Sequence, residues 1–427
     1  MFAATFFLTA CNSTRQGLFS TRSAHEKYAD GITSAGLRNT QLGSLWFSSA
    51  LKSIDQPSSI TLPYKEAGYF PADKPGAAGY SFAAKKGEQV VVSLSLNPSV
   101  NLLVFGELWE QADPGGKPSL LAWIDTTTHK LNYEVEKDGR FIFRLQPELL
   151  KGVEYTLTIS TTASLAFPVQ QSANPRVTSF WGADRDGGSR SHEGVDIFAK
   201  FRTPVIAAAD GRVTRVEENN LGGKVIFLRP RGKNYSLYYA HLDTQIARAG
   251  QEVRTGDILG LIGNTGNART TAAHLHFGIY ASGGAVDPFP FINDKRAEPR
   301  PVSAAVKHLA TYMRSESAVT VYKEPSTKAP ITFRKEATSV FYIAGATDNW
   351  YRVVSADNIE GFVTASALTT KPVRKQTIAT DKKLQEAPYP GAPAKSIIPA
   401  GSSVELLGTH EQFNYVSYKE VTGWVSR

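Results

Sequence analysis

Alternating apolar and polar residues fill much of the chain between residues 60 and 166, in short runs such as Gln89–Leu96 and Arg140–Leu145. Successive residues of a β-strand point to opposite faces of a sheet, so this alternation predicts strands with one buried face. Turns that contain glycine, such as Lys137–Gly139, separate the runs. We therefore predict an antiparallel β-sandwich over residues 58–168, with a binding or spacer role because it carries no catalytic constellation.

A helical spacing replaces the alternation in residues 23–57. Tyr28 and Ile32 are four residues apart, and so are Leu42 and Trp46. Residues at this interval lie on the same face of an α-helix. The segment is therefore expected to form two short amphipathic helices.

The amino-terminal segment, residues 1–22, begins with a short apolar stretch that ends at Cys11, the only cysteine of the chain. Leu8–Cys11 resembles a bacterial lipobox, in which the cysteine is acylated. The resemblance implies export and a lipid anchor at Cys11, and Asn12 favours the outer membrane as the destination. The positively charged region that opens an export signal is missing before Cys11, so an ordinary apolar tail is the alternative.

Composition narrows the class of protein further. A single cysteine excludes a disulfide scaffold and any zinc site built from cysteines. The sequence has no apolar run of 18 residues, so we expect no internal membrane span. The net charge is +8, and residues 171–427 carry the whole excess, which favours an anionic partner such as a cell-envelope polymer. Nucleic acid is not expected as a partner because no basic run has interleaved aromatic residues.

Two similar segments, Val321–Thr364 and Leu384–Ser426, occupy the carboxyl-terminal part of the chain. Each begins at a turn that contains proline and ends with glycine, an aromatic residue, valine and a hydroxyl residue. This order resembles bacterial Src-homology-3-type barrels, which implies one barrel over residues 316–370 and another over 371–427, after a linker at 297–315. Such barrels commonly bind wall peptides, and a packing role without a ligand is the alternative.

Histidine spacing carries the chemistry of the region between the sandwich and the barrels. His192 and Asp196 are four residues apart, and would share a face of an extended strand. His274 and His276 are two apart and would also share a face, whereas His241 ends an apolar strand and can reach the rim of the same site. Two histidines and one carboxylate leave a fourth ligand position open, which is typical of catalytic zinc. For each histidine considered alone, a structural role in the fold is the alternative to metal binding or catalysis.

The same region resembles the lysostaphin-type zinc endopeptidases, which cleave peptidoglycan crosslinks. The resemblance implies a peptidase domain over residues 169–296. Its matching stretches are His192–Ile197, Thr203–Val213, Tyr239–Leu242, Val253–Gly260, Gly263–Gly266 and His274–Phe277.

The resemblance assigns roles to the five polar residues. It implies that His192, Asp196 and His276 bind one zinc ion per chain, and that His241 and His274 are the catalytic pair. The zinc would polarise the scissile carbonyl and activate a water molecule, while the two histidines serve as base, acid and oxyanion donors in an unassigned order.

Arginines and glycines extend the resemblance. Arg185 and Arg190 lie in the loop before His192 and are candidates for substrate contact. Four glycines fit turn positions that need unusual backbone angles: Gly211, Gly256, Gly260 and Gly266. The sequence departs from the family pattern at Arg202, where glycine is usual, at Gly278, where glutamate is common, and in the loop from Asn267 to Ala273, which lacks the usual Gly-Pro. These departures leave the shape of the groove and the choice of substrate open.

The sequence therefore predicts a mainly β, multidomain protein with short amino-terminal helices, a β-sandwich, an antiparallel β-sheet peptidase core and two small barrels. Its expected function is that of an exported zinc metalloendopeptidase that hydrolyses peptide crosslinks of peptidoglycan. Its expected location is the periplasmic cell envelope, with an outer-membrane lipid anchor and with peptidoglycan peptides as partners. The alternatives are a regulatory or scaffold protein that binds the wall and activates another hydrolase, and a protease of ordinary proteins. The crosslink cleaved and the oligomeric state stay open.

Overall fold

The computed structural model describes residues 22–97, 102–113, 115–294 and 297–427. Cys11 and the lipobox-like segment lie outside the described residues. Strands dominate the described regular structure, which confirms the predicted mainly β class. Within these ranges, no helix is both long enough and apolar enough to span a bilayer.

Two helices open the described chain, α1 (Ala24–Ser34) and α2 (Gln41–Asp55). Ser23 caps α1: its hydroxyl accepts from the amide of Glu26, and the Glu26 carboxylate accepts from the Ser23 amide. Both helices pack on the sandwich through Trp46, which is fully buried and donates its indole N–H to the carbonyl of Pro147 at 2.9 Å. The helical lead-in is therefore attached to the sandwich by apolar burial and a hydrogen bond.

The sandwich consists of two antiparallel sheets that bury their alternating apolar faces against each other. Its strands are β1 (Ser58–Ser59), β2 (Tyr64–Phe70), β3 (Ala78–Ala84), β4 (Glu88–Asn97), β5 (Val104–Glu110), β6 (Ser119–Trp123), β7 (Lys130–Glu134), β8 (Gly139–Pro147) and β9 (Val153–Ala163). One sheet has the order β1-β3-β8-β5-β6, in which only the short β1–β3 pairing is parallel, and the other contains β2-β9-β4-β7.

The third unit is a sheet whose main path is β10-β13-β20-β17-β16-β15-β18. Its elements are β10 (Arg176–Ser179), β11 (Asp184–Arg185), β12 (Arg190–Ser191), β13 (Val195–Phe198), β14 (Pro204–Ile206), β15 (Gly211–Asn219), β16 (Gly223–Pro230), β17 (Tyr235–Gln245), β18 (Glu252–Val253), β19 (Ile258–Ile262), β20 (His274–Ala281), β21 (Gly284–Val286) and the short helix α3 (Phe289–Ile292). Strands β11 and β12 form a separate hairpin beside this sheet, and β14 pairs with β19.

The carboxyl-terminal part contains two small β units, which we call the first and the second barrel. The first has β22 (Tyr312–Ser315), β23 (Val319–Tyr322), β24 (Ile331–Lys335), β25 (Val340–Thr347), β26 (Trp350–Ser355), β27 (Glu360–Thr364) and β28 (Leu368–Thr369). The second has β29 (Arg374–Thr377), β30 (Lys382–Gln385), β31 (Ala394–Ile398), β32 (Ser403–His410), β33 (Phe413–Tyr418) and β34 (Val421–Ser426). The segment 297–315 is not a linker throughout, because β22 at its end pairs with β25 and β28. The aromatic residues of the repeat, Phe362 and Trp424, are both buried.

The sandwich and the first barrel share one continuous sheet. Strand β2 pairs with β25 through Ala67 with Ala346 and Gly68 with Gly345. The sheet therefore runs through β24-β23-β27-β26-β25-β2-β9-β4-β7. Hydrogen bonding across a sheet fixes the relative position of its strands, so these two units are joined more firmly than by side-chain contact alone.

Candidate active site

Strand β20 brings the polar residues of the third unit together. His276 on β20 lies opposite Asp196 of β13 on one side and opposite Ala240 of β17 on the other. The intervening residues Leu275 and Phe277 are fully buried in the core. The alternation of β20 therefore turns its histidines away from the core and towards the site.

Three side chains converge on one point in front of this sheet. His192 Nε2, His276 Nδ1 and Asp196 Oδ1 lie 3.0 Å from one another in all three pairs. A tetrahedral zinc ion with bonds of about 2.1 Å separates its ligand atoms by about 3.4 Å. Two imidazole nitrogens and one carboxylate oxygen at this spacing fit such an ion with a small outward shift, and they leave its fourth position open.

His192 reaches the site by a route that differs from the expected extended strand. Strand β13 begins only at Val195, so His192 lies in the preceding loop, which bends at Gly194. The carbonyl of Phe180 accepts a hydrogen bond from His192 Nδ1 at 2.9 Å. That bond fixes the tautomer and leaves Nε2 as the ligand atom, which is the usual arrangement behind a metal-binding histidine.

Gly194 offers a test of the metal centre that leaves the identity of every proposed ligand residue unchanged. A Cβ atom at this position would lie 2.6 Å from Cε1 and 2.7 Å from Nε2 of His276. We expect Gly194→Ala to displace the His276 ring and to weaken zinc binding at least about 10-fold. Competition with a chromophoric chelator measures this affinity. Gly283→Ala is the matched control, because its Cβ would meet no atom within 4 Å, and equal affinities in the two variants would contradict the prediction.

The catalytic pair predicted from the resemblance flanks the three converging residues. His241 Nδ1 donates to the carbonyl of Thr265 at 2.9 Å, and His274 Nδ1 donates to that of Ala272 at 2.8 Å. Nδ1 of each ring is therefore occupied. Nε2 of His274 lies 4.0 Å from Asp196 Oδ1, and the centroids of the two rings are 5.0 Å apart. The Phe198 ring stacks on His274 at 4.8 Å, which further fixes the plane of that imidazole.

His241 does not end its strand, as the sequence suggested, because β17 continues to Gln245. Its backbone instead takes a positive φ of 62°, an uncommon conformation for a residue with a side chain. Hydrogen bonding of its amide to the Gly222 carbonyl at 2.8 Å holds this local kink. A strained backbone of this kind redirects a side chain, and here it places His241 on the groove wall.

Burial and neighbouring charges set the protonation of the site. Burial lowers the pKa of His241 to about 4, with the nearby His274 and His276 adding to the effect. Burial also lowers the pKa of His276. For Asp196, burial alone would raise the pKa, but hydrogen bonds to His192 and His276 hold it well below its usual value. The site therefore presents neutral imidazole beside an ionised carboxylate, as metal binding requires.

The two arginines predicted to contact substrate have different surroundings. The Arg185 guanidinium contacts Asp196 Oδ2 at 2.6 Å and Ser179 Oγ at 2.8 Å, so it supports the carboxylate that faces the histidines. Arg190 is exposed on β12. Both line the same open groove of about 1080 Å³ as the five polar residues, and aromatic side chains such as Tyr238 and Phe227 form part of its wall.

The glycines divide into two groups with different roles. Gly256 and Gly266 adopt positive φ angles of 92° and 70°, as expected for turns. For Gly211 and Gly260 the expectation was wrong, because neither has a positive φ. A Cβ at these positions would instead lie 2.2 Å from the Arg229 carbonyl oxygen and 2.5 Å from that of Thr244, so close approach of neighbouring strands requires glycine there.

Some residues that shape the site could not be found from the sequence. Phe180, Thr265 and Ala272 act through their main-chain carbonyls, which every residue type provides. No residue-type signal could therefore identify them. Ser179 and Phe198 use their side chains, but only the folded register brings them to Arg185 and His274.

Two of the units match known protein families. Residues 190–288 match Peptidase family M23, and residues 315–369 match the bacterial SH3 domain. The chain is therefore similar to the M23 peptidases over residues 190–288 and to bacterial SH3 domains over residues 315–369, and neither match reaches half of its length.

Similar proteins of known name include enzymes and an activator. The L-Ala–D-Glu endopeptidase of Bacillus subtilis is 34% identical over 30% of this chain and 42% of its own length. The peptidoglycan DD-endopeptidase ShyC of Vibrio cholerae is 33% identical over 23% and 22%, respectively. The murein hydrolase activator NlpD of Salmonella dublin is 30% identical over 32% and 36%. The chain therefore spans less than half the length of each of these relatives.

Proposed function

We propose that this protein is a zinc metalloendopeptidase that hydrolyses peptide crosslinks of peptidoglycan. The observation that carries the proposal is the convergence of His192, Asp196 and His276 in an open groove, with His241 and His274 beside them. Similarity to a peptidoglycan DD-endopeptidase and to an L-Ala–D-Glu endopeptidase supports the choice of substrate class. A group that merely stabilised the fold would not need an open face or two further histidines in the same groove.

In the proposed mechanism, the residues of the groove have separate roles. His192, Asp196 and His276 would hold the ion, and Arg185 orients the Asp196 carboxylate. When bound, zinc supplies Lewis-acid chemistry that polarises a carbonyl group and acidifies water. The open groove admits an extended peptide, and its aromatic wall offers apolar contact to the side chains of that peptide.

In this mechanism, His241 and His274 transfer the proton of the attacking water. Each is fixed by a hydrogen bond at Nδ1, so a neutral ring accepts the proton of the attacking water at Nε2. The resulting imidazolium then donates to the leaving amine, or to the oxyanion of the tetrahedral intermediate. The low pKa of His241 keeps its ring neutral at pH 7, so the ring can accept a proton, and it also makes His241 a weaker base than an ordinary histidine.

Location follows as a further part of the proposal. Export to the periplasmic cell envelope, with a lipid anchor at Cys11, would place the groove next to its substrate. The excess positive charge of residues 171–427 suits an anionic wall.

Activation of another wall hydrolase is the second candidate function, because one relative is named a murein hydrolase activator. The completeness of the polar set in this chain favours hydrolysis over activation. An activator would stimulate a separate hydrolase without cleaving sacculi itself, and it would keep this effect after loss of zinc.

Purified sacculi and metal analysis test the proposed activity together. We expect the wild-type protein to bind one zinc ion and to dissolve sacculi with the appearance of new amino termini. His276→Ala should do neither, whereas the control His308→Ala, outside the groove, should do both. A wild type that binds zinc but does not dissolve sacculi, while it stimulates a second hydrolase, would establish the activator function instead.

The pH profile tests the role of His241. Because its pKa is lowered to about 4, we expect kcat to show no titration of this group between pH 7 and pH 5 and to fall as pH approaches 4. His241→Ala should lower kcat by about 10²- to 10⁴-fold while zinc stays bound. The zinc content must be measured at each pH, since protonated ligands release metal. An acid limb near pH 6.5 at full zinc occupancy that disappears in His241→Ala would contradict the assignment, because His241 would then titrate near its ordinary pKa.

A further inference from the structure

A second groove, of about 580 Å³, lies at the junction of four parts of the chain. We call it the junction groove. It is lined by Lys52 of α2, Lys74 in the β2–β3 connection, Tyr312 and Tyr342 of the first barrel, and Tyr389 and Trp424 of the second barrel. The junction groove shares no lining residue with the groove of the metal centre. Its size falls within the range of about 300–1000 Å³ that is typical of sites for small ligands.

The walls of the junction groove are held in fixed positions. Lys52 Nζ donates to Asn358 Oδ1 at 3.0 Å, which ties α2 to the first barrel. Ser49 Oγ contacts the Pro75 carbonyl at 3.3 Å, which ties α2 to the β2–β3 connection. The sheet that the sandwich shares with the first barrel fixes these two units relative to each other. A ligand would therefore bind to a preformed site, and little conformational entropy of the protein would be lost on binding.

Aromatic rings form the floor and one edge of this site. Tyr312 contacts Tyr342 at a centroid distance of 5.3 Å and Trp424 at 6.4 Å, so the rings of the two barrels make one connected surface. Tyr389 at the edge is 54% exposed and contributes little to the core. Such rings, together with proline residues at the margin, provide the kind of surface on which an extended peptide packs.

The charge of the junction groove selects among peptides. Lys74 Nζ lies 5.1 Å from the centroid of the Tyr342 ring, and Lys52 also lines the groove. Glu360 is the carboxylate that lines the groove among the described residues, and it already contacts Arg352 at 3.4 Å and Ser58 at 3.1 Å. The two lysines therefore leave positive charge to be matched by the ligand.

We propose that the junction groove binds a short extended peptide that carries free carboxylate groups. Lys52 and Lys74 pair with the carboxylates, and the Tyr342, Tyr312 and Tyr389 rings pack against the backbone and small side chains. The site needs both barrels, α2 and the sandwich, so it belongs to the whole arrangement and not to one barrel. It does not depend on the proposed peptidase activity.

Calorimetry on the full chain at low salt tests the proposal with three probes. The first is acetyl-Ala-Glu-Ala-Ala with a free carboxyl terminus, the second is its neutral counterpart with Gln and a terminal amide, and the third is the sugar chitotetraose. We expect the acidic peptide to bind at least about 10-fold more tightly than the neutral one and the sugar not to bind. Mass spectrometry of each probe after the titration shows that it stayed intact.

Variants assign the binding to the junction groove. Replacing both lysines, Lys52→Gln with Lys74→Gln, should remove the preference for the acidic peptide, whereas Tyr389→Ala should weaken both peptides alike. Lys151→Gln, an exposed lysine outside the groove, is the control and should change nothing. Thermal unfolding of each variant establishes that it is folded. Absence of peptide binding, unchanged preference in the lysine variant, or tighter binding of chitotetraose would each overturn the proposal.

Discussion

Asp196→Ala should abolish zinc binding at micromolar metal and slow the hydrolysis of sacculi by about 10³-fold or more. Asp196 is the only carboxylate in the cluster with His192 and His276, and its Oδ1 lies 3.0 Å from a nitrogen of each. Its loss removes a ligand and also leaves the Arg185 guanidinium, now without its partner, close to two imidazole groups. Both effects disfavour a bound cation.

Asp196→Asn separates these two effects. The amide keeps the shape of the side chain but loses the negative charge that zinc and Arg185 both require. We expect intermediate zinc affinity, because one oxygen stays available as a ligand. The measurements are zinc content after dialysis, affinity by competition, and dissolution of sacculi.

Controls for this experiment come from the same domain and from the metal itself. Asp243→Asn breaks an exposed pair with Arg202, which is worth at most about 1 kcal/mol, so activity should stay within about two-fold of wild type. Treating the wild type with a chelator should reproduce the loss seen in Asp196→Ala, and added zinc should restore activity only to the wild type. An Asp196→Ala protein that still cleaves sacculi at the wild-type rate would refute the assigned metal centre.

Local spacing in the sequence predicts correctly the part of the polar set that lies on the regular strand β20. The alternation His274-Leu275-His276-Phe277 predicts two histidines on one face and two apolar residues in the core, and β20 has this arrangement. The period of two is a property of any strand, so no knowledge of neighbours is needed.

Spacing misled where the backbone departs from regular geometry. His192 and Asp196 meet although only Asp196 lies on a strand, because the loop bends at Gly194 and lets the chain approach His276. His241 points into the groove through a positive φ that no residue type in its neighbourhood signals. Irregular backbone at functional sites is held by the surrounding fold and is therefore invisible to local patterns.

The pairing of strands that are far apart in the chain is the other feature of the fold that the sequence could not predict. The alternation within β2 and β25 identifies each as a strand, but nothing in either segment specifies that they pair across more than 270 residues of chain. Partner choice depends on the burial gained by the whole assembly. The same holds for the junction groove, whose lining comes from the helical lead-in, the sandwich and both barrels.

The ion pair between Glu66 and Arg352 should be the most sensitive point of this assembly. Glu66 is fully buried on β2, and Arg352 is 4% exposed on β26. The contact is bidentate, with Nε to Oε2 at 3.0 Å and Nη2 to Oε1 at 2.9 Å. The Glu66 carboxylate raises the pKa of Arg352 well above its usual value, although burial alone would lower it.

Arg352→Met should destabilise the sandwich and the first barrel by about 3–5 kcal/mol, because it leaves a buried carboxylate without its cation. Hydroxyl groups of Tyr64 and Tyr80 donate to Glu66 at 2.6 and 2.7 Å, so part of the charge stays solvated by the protein. The double variant Glu66→Leu with Arg352→Met should cost less than the sum of the single variants, since no isolated charge remains. Urea unfolding, followed by tryptophan fluorescence and circular dichroism, measures these differences.

Arg300→Gln, which breaks an exposed pair with Asp348, is the control and should cost less than about 1 kcal/mol. Equal costs for Arg352→Met and Arg300→Gln would show that the buried pair does not hold the two units together.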